Sequence, residues 1–322
     1  SGADEDVTWA WADDLTGLAL PSNLKSAGDL ITWAINGAGD LAAIATEGDS
    51  NEREVLTVSL TSGGIAVVTL KDQFDHSGGN NDEEQLPLDL SAALLATDAD
   101  GDTVVPGTGS FVVNVENDLP VADDAATPIT ASVQEDALDE ADGTDDDQST
   151  GLPDDGSDTD EASGADGGAD DLTTLFKSGA DAPLTVSLVQ DDAAVTADDL
   201  LPGLTSDGDA LSYSVSGDTL TATAGGRTIF TLVVNGDGSW SFDLDDQIDH
   251  KLVATNPDDS TLLDDGGDGI SGIDFSPVLI GTDKDGDFVT GAEAGSFVIS
   301  IENDVPEDSG SDVTVFVAED GL

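Results

Sequence analysis

Apolar and polar residues alternate along this chain in short runs that are typical of β-strands. Within residues 111–116, Phe111, Val113 and Val115 fall on one face and polar or smaller residues on the other. Residues 297–302 repeat the same alternation. A period of two indicates a strand that is buried on one side only. Both segments are therefore predicted to be strands at the surface of a core.

Turn sequences separate further runs of this kind. Residues 211–215, 220–223, 229–234 and 240–244 are strand-like, and Asn-Gly-Asp-Gly at 235–238 is a strong hairpin signal. No long helical pattern is present in the sequence. Short strands joined by Gly and Asp turns predict an all-β fold built from tandem antiparallel β-sandwich modules.

Much of the sequence occurs twice. Thr-Asp-Ala-Asp-Gly-Asp at 97–102 returns as Thr-Asp-Lys-Asp-Gly-Asp at 282–287. Asp-Gln-Phe-Asp-His at 72–76 returns as Asp-Gln-Ile-Asp-His at 246–250, at a slightly smaller spacing. A large repeating unit of this kind indicates an architecture of modules, with small insertions and deletions in the loops.

The repeats predict the domain bounds. Residues 317–322 are similar to residues 133–138, so the end of the sequence is expected to open another unit. We predict a first β-sandwich module at 1–119 whose beginning is missing, a second at 120–305, and the start of a third at 306–322.

The charge of the chain is extreme. Seventy Asp and Glu residues against seven Lys and Arg give a formal net charge of −63 over 322 residues. Repulsion of this size opposes compaction, so divalent cations or a very salty medium are expected to offset it. A purely solvating acidic surface is the alternative. Nucleic acid and anionic lipid are excluded as favourable partners by the charge.

The lack of cysteine and of long apolar runs in the sequence narrows the class of protein. The sequence contains no cysteine, so disulfides and thiol chemistry are excluded. An extracellular module can instead be stabilised by calcium. No apolar run approaches the roughly 18 residues that a membrane-spanning helix needs, so no membrane insertion is expected.

Two loops carry carboxylates at alternate positions around a glycine. Such spacing lets a tight turn direct several oxygens at one point, as Ca²⁺ with its roughly six to eight oxygen ligands requires. The loop differs from an EF-hand because the glycine comes fourth and no acidic residue closes a longer loop. The candidate ligands are Asp98, Asp100, Asp102, Asp283, Asp285 and Asp287.

A second acidic pattern lies where modules are predicted to meet. Glu-Asn-Asp-x-Pro ends a predicted strand at 116–120 and again at 302–306, and proline stops sheet pairing there. Acidic residues of this joint would converge on shared ions and stiffen it; a plain acidic turn is the alternative. The candidates are Glu116, Asp118, Glu135, Asp136, Glu302, Asp304, Glu319 and Asp320.

The segment 139–171 has a different composition from the rest of the chain. It contains fourteen acidic residues among thirty-three, and Leu152 is almost its only bulky apolar residue. Two interpretations remain open, a disordered linker and a loop that is held by cations.

The order of these motifs resembles the long tandem repeats of bacterial RTX adhesins exported by type I secretion. The shared order is Asp-His, Thr-Asp-x-Asp-Gly-Asp, a strand ending in Glu-Asn-Asp-x-Pro, and then Glu-Asp-x-Leu. The resemblance implies immunoglobulin-like or cadherin-like modules, calcium bound by the repeated carboxylates, and a location on the bacterial cell surface. It further implies a role in cell adhesion and biofilm formation. The glycine-rich nonapeptide repeats of the secretion region are absent from the sequence.

No pattern in the sequence predicts catalysis. His76 and His250, the only histidines, occupy the same repeat position without a cysteine or a second histidine in either unit. A zinc site needs more such ligands, so both are predicted to bond a loop. Nucleophile and phosphate-binding motifs are also missing. We expect a protein that is not an enzyme.

Two functional hypotheses follow. In the first, calcium makes the modules rigid, so that they extend an adhesive tip and contact only calcium and neighbouring repeats of the same chain. In the second, one module binds a peptide or glycan of a host or microbial surface in a calcium-dependent way. Trp9 and Trp11 share a predicted strand face and are candidates for stacking on such a ligand, or for covering a thin core. A secreted hydrolase is a third and weaker hypothesis.

Overall fold

A computed structural model describes residues 6–18, 20–47, 51–76, 84–140, 144–147, 159–192, 195, 200–252 and 260–305. The chain divides into two compact units. Unit 1 comprises Ser1–Asp123, Phe176–Thr185 and Ile280–Val289, and unit 2 comprises Asp124–Leu175, Val186–Leu279 and Thr290–Leu322. Unit 1 therefore includes two short segments of the second sequence repeat. The module bounds inferred from the sequence stay a prediction, and the third unit at 306–322 lies outside the described residues.

The strands are short and follow one another closely. The first eleven are β1 (Thr8–Trp11), β2 (Lys25–Ser26), β3 (Asp29–Ile35), β4 (Leu41–Glu47), β5 (Asn51–Leu60), β6 (Ala66–Leu70), β7 (Gln85–Asp89), β8 (Leu94–Thr97), β9 (Thr103–Val104), β10 (Val112–Glu116) and β11 (Val121–Ala122). The next eight are β12 (Ile129–Gln134), β13 (Asp139–Glu140), β14 (Thr144–Asp147), β15 (Glu161–Gly164), β16 (Phe176–Lys177), β17 (Thr185–Leu188), β18 (Thr205–Ser206) and β19 (Asp209–Ala210). The last ten are β20 (Ser212–Ser216), β21 (Thr219–Ala224), β22 (Arg227–Val234), β23 (Trp240–Leu244), β24 (Leu262–Leu263), β25 (Ile270–Ser271), β26 (Ile273–Asp274), β27 (Leu279–Thr282), β28 (Phe288–Thr290) and β29 (Phe297–Glu302). Single 3₁₀ turns occur at Ser91–Ala93, Glu135–Ala137, Leu172–Leu175 and Ser276–Val278.

The predicted all-β fold of sandwich type is confirmed. In unit 1 the largest sheet has the order β2-β3-β4-β5-β6, and in unit 2 it has the order β15-β23-β22-β21-β20. Neighbouring strands in both sheets are antiparallel, whereas β12 and β29 pair in parallel. No helix in the described part of the chain has both the length and the apolar character to cross a membrane.

Each unit has its own core, formed by the alternation seen in the sequence. In unit 1, Leu41, Leu56 and Val58 on β4 and β5 are buried together with Phe74 and Leu88. The predicted strands of unit 2 are β20, β21, β22 and β23. Their inward side chains meet an aromatic cluster in which Phe230, Phe242, Phe275 and Phe297 lie with neighbouring ring centroids 5.1–6.0 Å apart. Such clusters stabilise a core beyond the area that they bury.

The two arginines of the chain occupy equivalent positions. Arg53 at the start of β5 and Arg227 at the start of β22 match in the repeat, and the sequence contains no other arginine. Arg53 donates to Ser26 Oγ at 2.7 Å and pairs with Asp72. Arg227 donates to Ser206 Oγ at 3.1 Å and pairs with its own aspartate, Asp246. Each arginine thus connects a β-hairpin to the loop before the Asp-His motif.

Replacing either arginine is expected to weaken its own unit. Arg53→Gln or Arg227→Gln removes charge-assisted hydrogen bonds to a serine and an aspartate, so the free energy of unfolding should fall by about 1 to 2 kcal/mol. Partial exposure of the pairs keeps the loss at this modest size. Urea unfolding measures it, with Lys25→Gln at an exposed position as the control for lost charge. An equal loss in the control would contradict the structural role.

Candidate metal centre

The two Asp-x-Asp-Gly-Asp loops fold into the same turn. The backbone N–H of Asp98 donates to the Asp102 carbonyl at 3.1 Å, and that of Asp283 donates to the Asp287 carbonyl at 2.9 Å. The first carboxylate of each loop accepts from the N–H of the fifth residue at 2.8–2.9 Å. The glycine has φ of +98° in one loop and +103° in the other. Only glycine adopts this conformation freely, which explains its place in the motif.

The surroundings of the second loop bring a third aspartate to the turn. One carboxylate oxygen each of Asp181, Asp283 and Asp285 lies within 4.8 Å of the other two. All three belong to unit 1. Asp181 and Asp283 are 2% and 5% exposed, so these carboxylates are withdrawn from bulk water. Asp181 is positioned by its own backbone, because its carbonyl accepts from the Lys284 N–H at 2.9 Å.

Several oxygens of this group have no hydrogen-bond partner although they are buried. They are Asp181 Oδ1, Asp283 Oδ2, Asp285 Oδ1 and the nearby Asp75 Oδ1. The second oxygens of three of these residues are satisfied. Asp285 Oδ2 accepts from the His76 N–H and Asp75 Oδ2 from the Gly28 N–H, both at 2.9 Å, and Asp283 Oδ1 accepts from two N–H groups of its own loop. A buried acceptor without a partner costs free energy. Such oxygens are acceptors that a cation could satisfy.

Burial and crowding raise the pKa of two aspartates in this group. Burial, with the charge of Asp285 added, raises the pKa of Asp181 to about 7, and Asp75 and Asp118 act in the same direction. Burial and the neighbouring Asp285 raise the pKa of Asp283 to about 7. Carboxylates that are crowded and desolvated resist ionisation. A bound cation would reverse this penalty by stabilising the charged forms.

The donor set fits a hard cation. The ligating atoms available in the group are carboxylate oxygens, which Ca²⁺ and Mg²⁺ prefer, whereas zinc sites are usually built from nitrogen and sulfur. The chain contains no cysteine. The nearest histidine, His76, faces backbone carbonyls with both ring nitrogens, Phe74 O at 3.0 Å and Val115 O at 3.3 Å. A transition-metal site is therefore disfavoured.

The first loop differs from the second in burial. Asp98, Asp100 and Asp102 also place one oxygen each within 4.8 Å of one another, but Asp100 and Asp102 are exposed. Hydrogen bonding to Asp100 lowers the pKa of Asp98, which is the opposite of the shift at Asp283. Exposed acidic groups are well solvated without a metal. The two copies of the motif are thus similar in backbone but different in environment.

The strand-end motif of the first repeat lies close to the buried loop. Asn117 Nδ2 donates to Asp287 Oδ2 at 2.6 Å, and both side chains are buried. Asp118 Oδ2 accepts from the Ala180 N–H at 2.7 Å, beside Asp181. Glu116 is exposed at the end of β10. The side chain of Asp287 is therefore hydrogen-bonded to Asn117, and Asp287 is not one of the residues whose buried oxygens lack a partner.

A second acidic group lies in unit 2. Glu135 is 4% exposed, and its oxygens accept from the Ile248 N–H at 2.6 Å and the Asp304 N–H at 3.3 Å. Burial raises the pKa of Glu135 to about 8. Asp304 Oδ1 is buried without a partner. Both residues line a polar cavity of about 280 Å³, together with Asp249 and His250.

Two of the remaining candidates lie next to this second acidic group. Glu302 accepts from Gln134 Nε2 at 3.4 Å, and Asp136 lies beside Glu135 on the same 3₁₀ turn. Glu319 and Asp320 lie outside the described residues. Within the acidic segment 139–171, the described part pairs β13 with β14 and β15 with β23.

The histidines and tryptophans have structural surroundings. As predicted, His250 bonds the backbone, with Ile248 O at 2.9 Å and Ile301 O at 3.1 Å from its ring nitrogens. Trp11 packs on the core of unit 1, and the indole of Trp9 lies against Gly64. Both tryptophans are half-buried. A ligand-binding role for them stays a prediction.

Comparison with protein-family models finds no match for this chain, and comparison with curated proteins finds no significant match. The resemblance to RTX adhesin repeats therefore rests on the motifs alone and stays a prediction.

Proposed function

We propose that this chain is a calcium-binding structural segment of a large bacterial surface adhesin, which extends the protein outside the cell in adhesion and biofilm formation. The observation that carries the proposal is the group of Asp181, Asp283 and Asp285 with buried oxygens that lack partners. Calcium is favoured over magnesium because the site is built from protein carboxylates, whereas magnesium keeps several waters and demands a strict octahedron.

The proposed role is mechanical instead of catalytic. Asp181 and Asp283 belong to different segments of the second repeat, while Asp75 belongs to the first, yet all three lie in unit 1. A cation bound by Asp181 and Asp283 would link chain segments that are far apart in sequence. An ion that binds the folded unit and not the unfolded chain stabilises the folded state and makes the unit resistant to local opening. Such stiffening is what an extender requires.

Small-angle X-ray scattering tests this proposal. Calcium added to the chelator-treated chain is expected to reduce the radius of gyration and its spread, because bound ions replace repulsion between carboxylates. Magnesium chloride at equal ionic strength is the control for simple screening. Identical profiles in calcium, magnesium and chelator would end the proposal of a calcium-stiffened segment.

The alternative proposal is a module that recognises a peptide or glycan in a calcium-dependent way. Trp9 and Trp11 are its candidate contacts. A glycan and peptide array probed with the calcium-loaded chain tests it, and Trp9→Ala is expected to abolish any signal that these residues carry. A blank array would leave the extender alone.

A further inference from the structure

The segment that leads into β3 is shorter than its counterpart in unit 2. Thr8 and Thr185 are equivalent in the repeat, because each hydroxyl donates at 3.2 Å to the carbonyl of the threonine that precedes an Asp-x-Asp-Gly-Asp loop. Leu24 and Leu204 are equivalent because the carbonyl of each accepts at 2.9 Å from the N–H of the seventh residue after it. Thr185 follows Thr8 by 177 positions and Leu204 follows Leu24 by 180, so unit 1 has three fewer residues between these points.

In unit 2 the longer segment covers one face of β20. Tyr213 on this strand is 6% exposed, and its hydroxyl donates to the Pro202 carbonyl at 2.7 Å. Asp192 Oδ1 accepts from the Val215 N–H, further along the strand, at 2.7 Å. Among the described residues of the segment, the buried apolar side chains are Val189, Val195, Leu201 and Leu204. The segment therefore supplies both an apolar cover and a hydrogen-bond acceptor for β20.

In unit 1 a groove lies beside β3 at the corresponding place. Trp33 and Ile35 take the positions of Tyr213 and Val215, but Trp33 is only half-buried and Ile35 is 40% exposed. The groove has a volume of about 780 Å³, which is within the roughly 300–1,000 Å³ that is typical of small-molecule sites. Its apolar lining consists of Leu15, Leu18, Leu20, Ile31, Trp33 and Ile35.

The charged groups of this groove are carboxylates. Asp13 and Asp14 line it together with the hydroxyl residues Thr16 and Thr32. Asp14 Oδ1 accepts from the Thr16 hydroxyl at 2.7 Å and from the Thr16 N–H at 2.9 Å, and these bonds lower the pKa of Asp14. The described lining residues include no lysine, arginine or histidine. The groove therefore combines a fixed negative charge with an indole, and both attract an organic cation.

Other occupants fit the groove less well. An anionic ligand would be repelled by Asp13 and Asp14. A neutral apolar ligand would remove water from these carboxylates without replacing its hydrogen bonds. A metal ion would need several converging oxygens, and the converging groups of three carboxylates among the described residues include neither Asp13 nor Asp14. A metal ion would also leave the apolar lining unused.

We propose that the groove beside Trp33 in unit 1 binds a small organic ammonium compound. Its ammonium group pairs with Asp13 and Asp14, and its apolar body packs on Trp33 and the leucine side chains. This binding function is separate from the proposed structural role, since none of the candidate calcium ligands lines the groove. Unit 2 has no equivalent site, because its own segment buries Tyr213.

A methyl NMR titration of the full chain with phenethylammonium chloride tests the proposal. It is carried out in calcium and about 0.15 M NaCl, which screens non-specific attraction to the acidic surface. The methyl signals of Ile31 and Ile35 are expected to shift in a saturable way, while those of the matching Leu211 and Val215 stay in place. The neutral isostere 2-phenylethanol should bind about tenfold more weakly, because it lacks both the ion pairs and the cation–π attraction.

Two variants identify the groups that recognise the amine. The double variant Asp13→Asn with Asp14→Asn removes both charges and keeps an oxygen that can accept from Thr16, so it should weaken amine binding about tenfold. Its binding of 2-phenylethanol should be unchanged. Asp166→Asn with Asp268→Asn, at exposed positions, is the control for an equal loss of charge and should leave amine binding unchanged. Trp33→Leu should weaken the binding of both compounds.

Three results would overturn the proposal. In the first, the methyl signals of Ile31 and Ile35 do not shift, or the shifts are spread evenly over both units, as non-specific association with an acidic surface would produce. In the second, amine and alcohol bind with equal affinity. In the third, the variant without the charges of Asp13 and Asp14 binds the amine as tightly as the natural chain. A failed titration leaves the calcium proposal intact, because the two sites share no residue.

Discussion

Calcium is expected to raise the unfolding temperature of the chelator-treated chain by roughly 10 °C when it is present far above its dissociation constant. A ligand at about a thousandfold excess over that constant stabilises the folded state by about 4 kcal/mol, and each kcal/mol is worth about 2 to 4 °C in a unit of this size. The reason lies in the buried oxygens of Asp181, Asp283 and Asp285, which a cation would satisfy.

Asp283→Asn is the sharpest variant for this prediction. Asp283 Oδ1 accepts from the Gly286 N–H at 3.1 Å and the Asp287 N–H at 2.9 Å, and an asparagine oxygen keeps both bonds. Only Oδ2, the buried oxygen without a partner, becomes an amide nitrogen. Without calcium the variant should be at least as stable as the natural chain near neutral pH, because one crowded charge is gone. With calcium it should gain less than half of the natural shift.

The two measurements distinguish a loss of metal binding from misfolding. A variant that has lost only metal binding keeps its stability in chelator and gains less from calcium. A variant that merely misfolds would lose stability under both conditions. Differential scanning calorimetry in chelator and in calcium measures both, and Asp268→Asn at an exposed site controls for the lost charge. An unchanged calcium shift in Asp283→Asn would show that the ion binds elsewhere or not at all.

The strands were predictable from the sequence because their signal is local. The alternation at 297–302 and the hairpin sequence at 235–238 each specify a face or a turn without help from distant residues. β29 and the hairpin between β22 and β23 follow directly. The carboxylate loops were predictable for the same reason, since the Asp and Gly spacing fixes the turn.

The difference between the two loops was not predictable in this way. Asp98 and Asp283 have the same local sequence, but burial depends on which segments cover the loop. Asp181 lies in no repeated motif and comes to Asp283 through long-range packing alone. The two arginines, by contrast, gave a usable signal, because Arg53 and Arg227 are the only arginines and have the same spacing as the two Asp-His motifs.

The exposure of side chains also differs between equivalent positions of the two repeats. Val68 on β6 and Phe242 on β23 occupy equivalent positions of the repeat, but Val68 is 41% exposed and Phe242 is 1% exposed. In unit 2, β15 pairs with β23 and β12 pairs with β29, whereas in the described residues of unit 1 β6 pairs with β5 and β10 pairs with β7. A repeat therefore predicts the strands of a module better than it predicts which of its faces are covered.

The metal-free chain is expected to lose stability as pH rises from about 4 to about 8. The pKa values of Asp181 and Asp283 are raised to about 7 in the folded state, against an ordinary value of 3.8. Between these values the folded state holds protons that the unfolded state has released, so stability falls with rising pH. Below about pH 4 both states are protonated and the penalty is absent; above the folded pKa it is complete.

The size and origin of this loss can be isolated. One pKa unit corresponds to about 1.4 kcal/mol, so a rise of about three units corresponds to roughly 4 kcal/mol for one group; because the two groups interact, their losses are not simply added. General repulsion among the carboxylates also lowers stability as pH rises. The decisive quantity is therefore the difference in the free energy of unfolding between the natural chain and a double variant that carries both Asp181→Asn and Asp283→Asn. That variant should show a weaker dependence of stability on pH in chelator.

Saturating calcium should flatten or reverse the dependence of stability on pH in the natural chain, since ligands bind the ion in their deprotonated form and binding strengthens as pH rises. Equal slopes for the natural chain and the variant in urea unfolding at each pH would place the titrating groups outside this site.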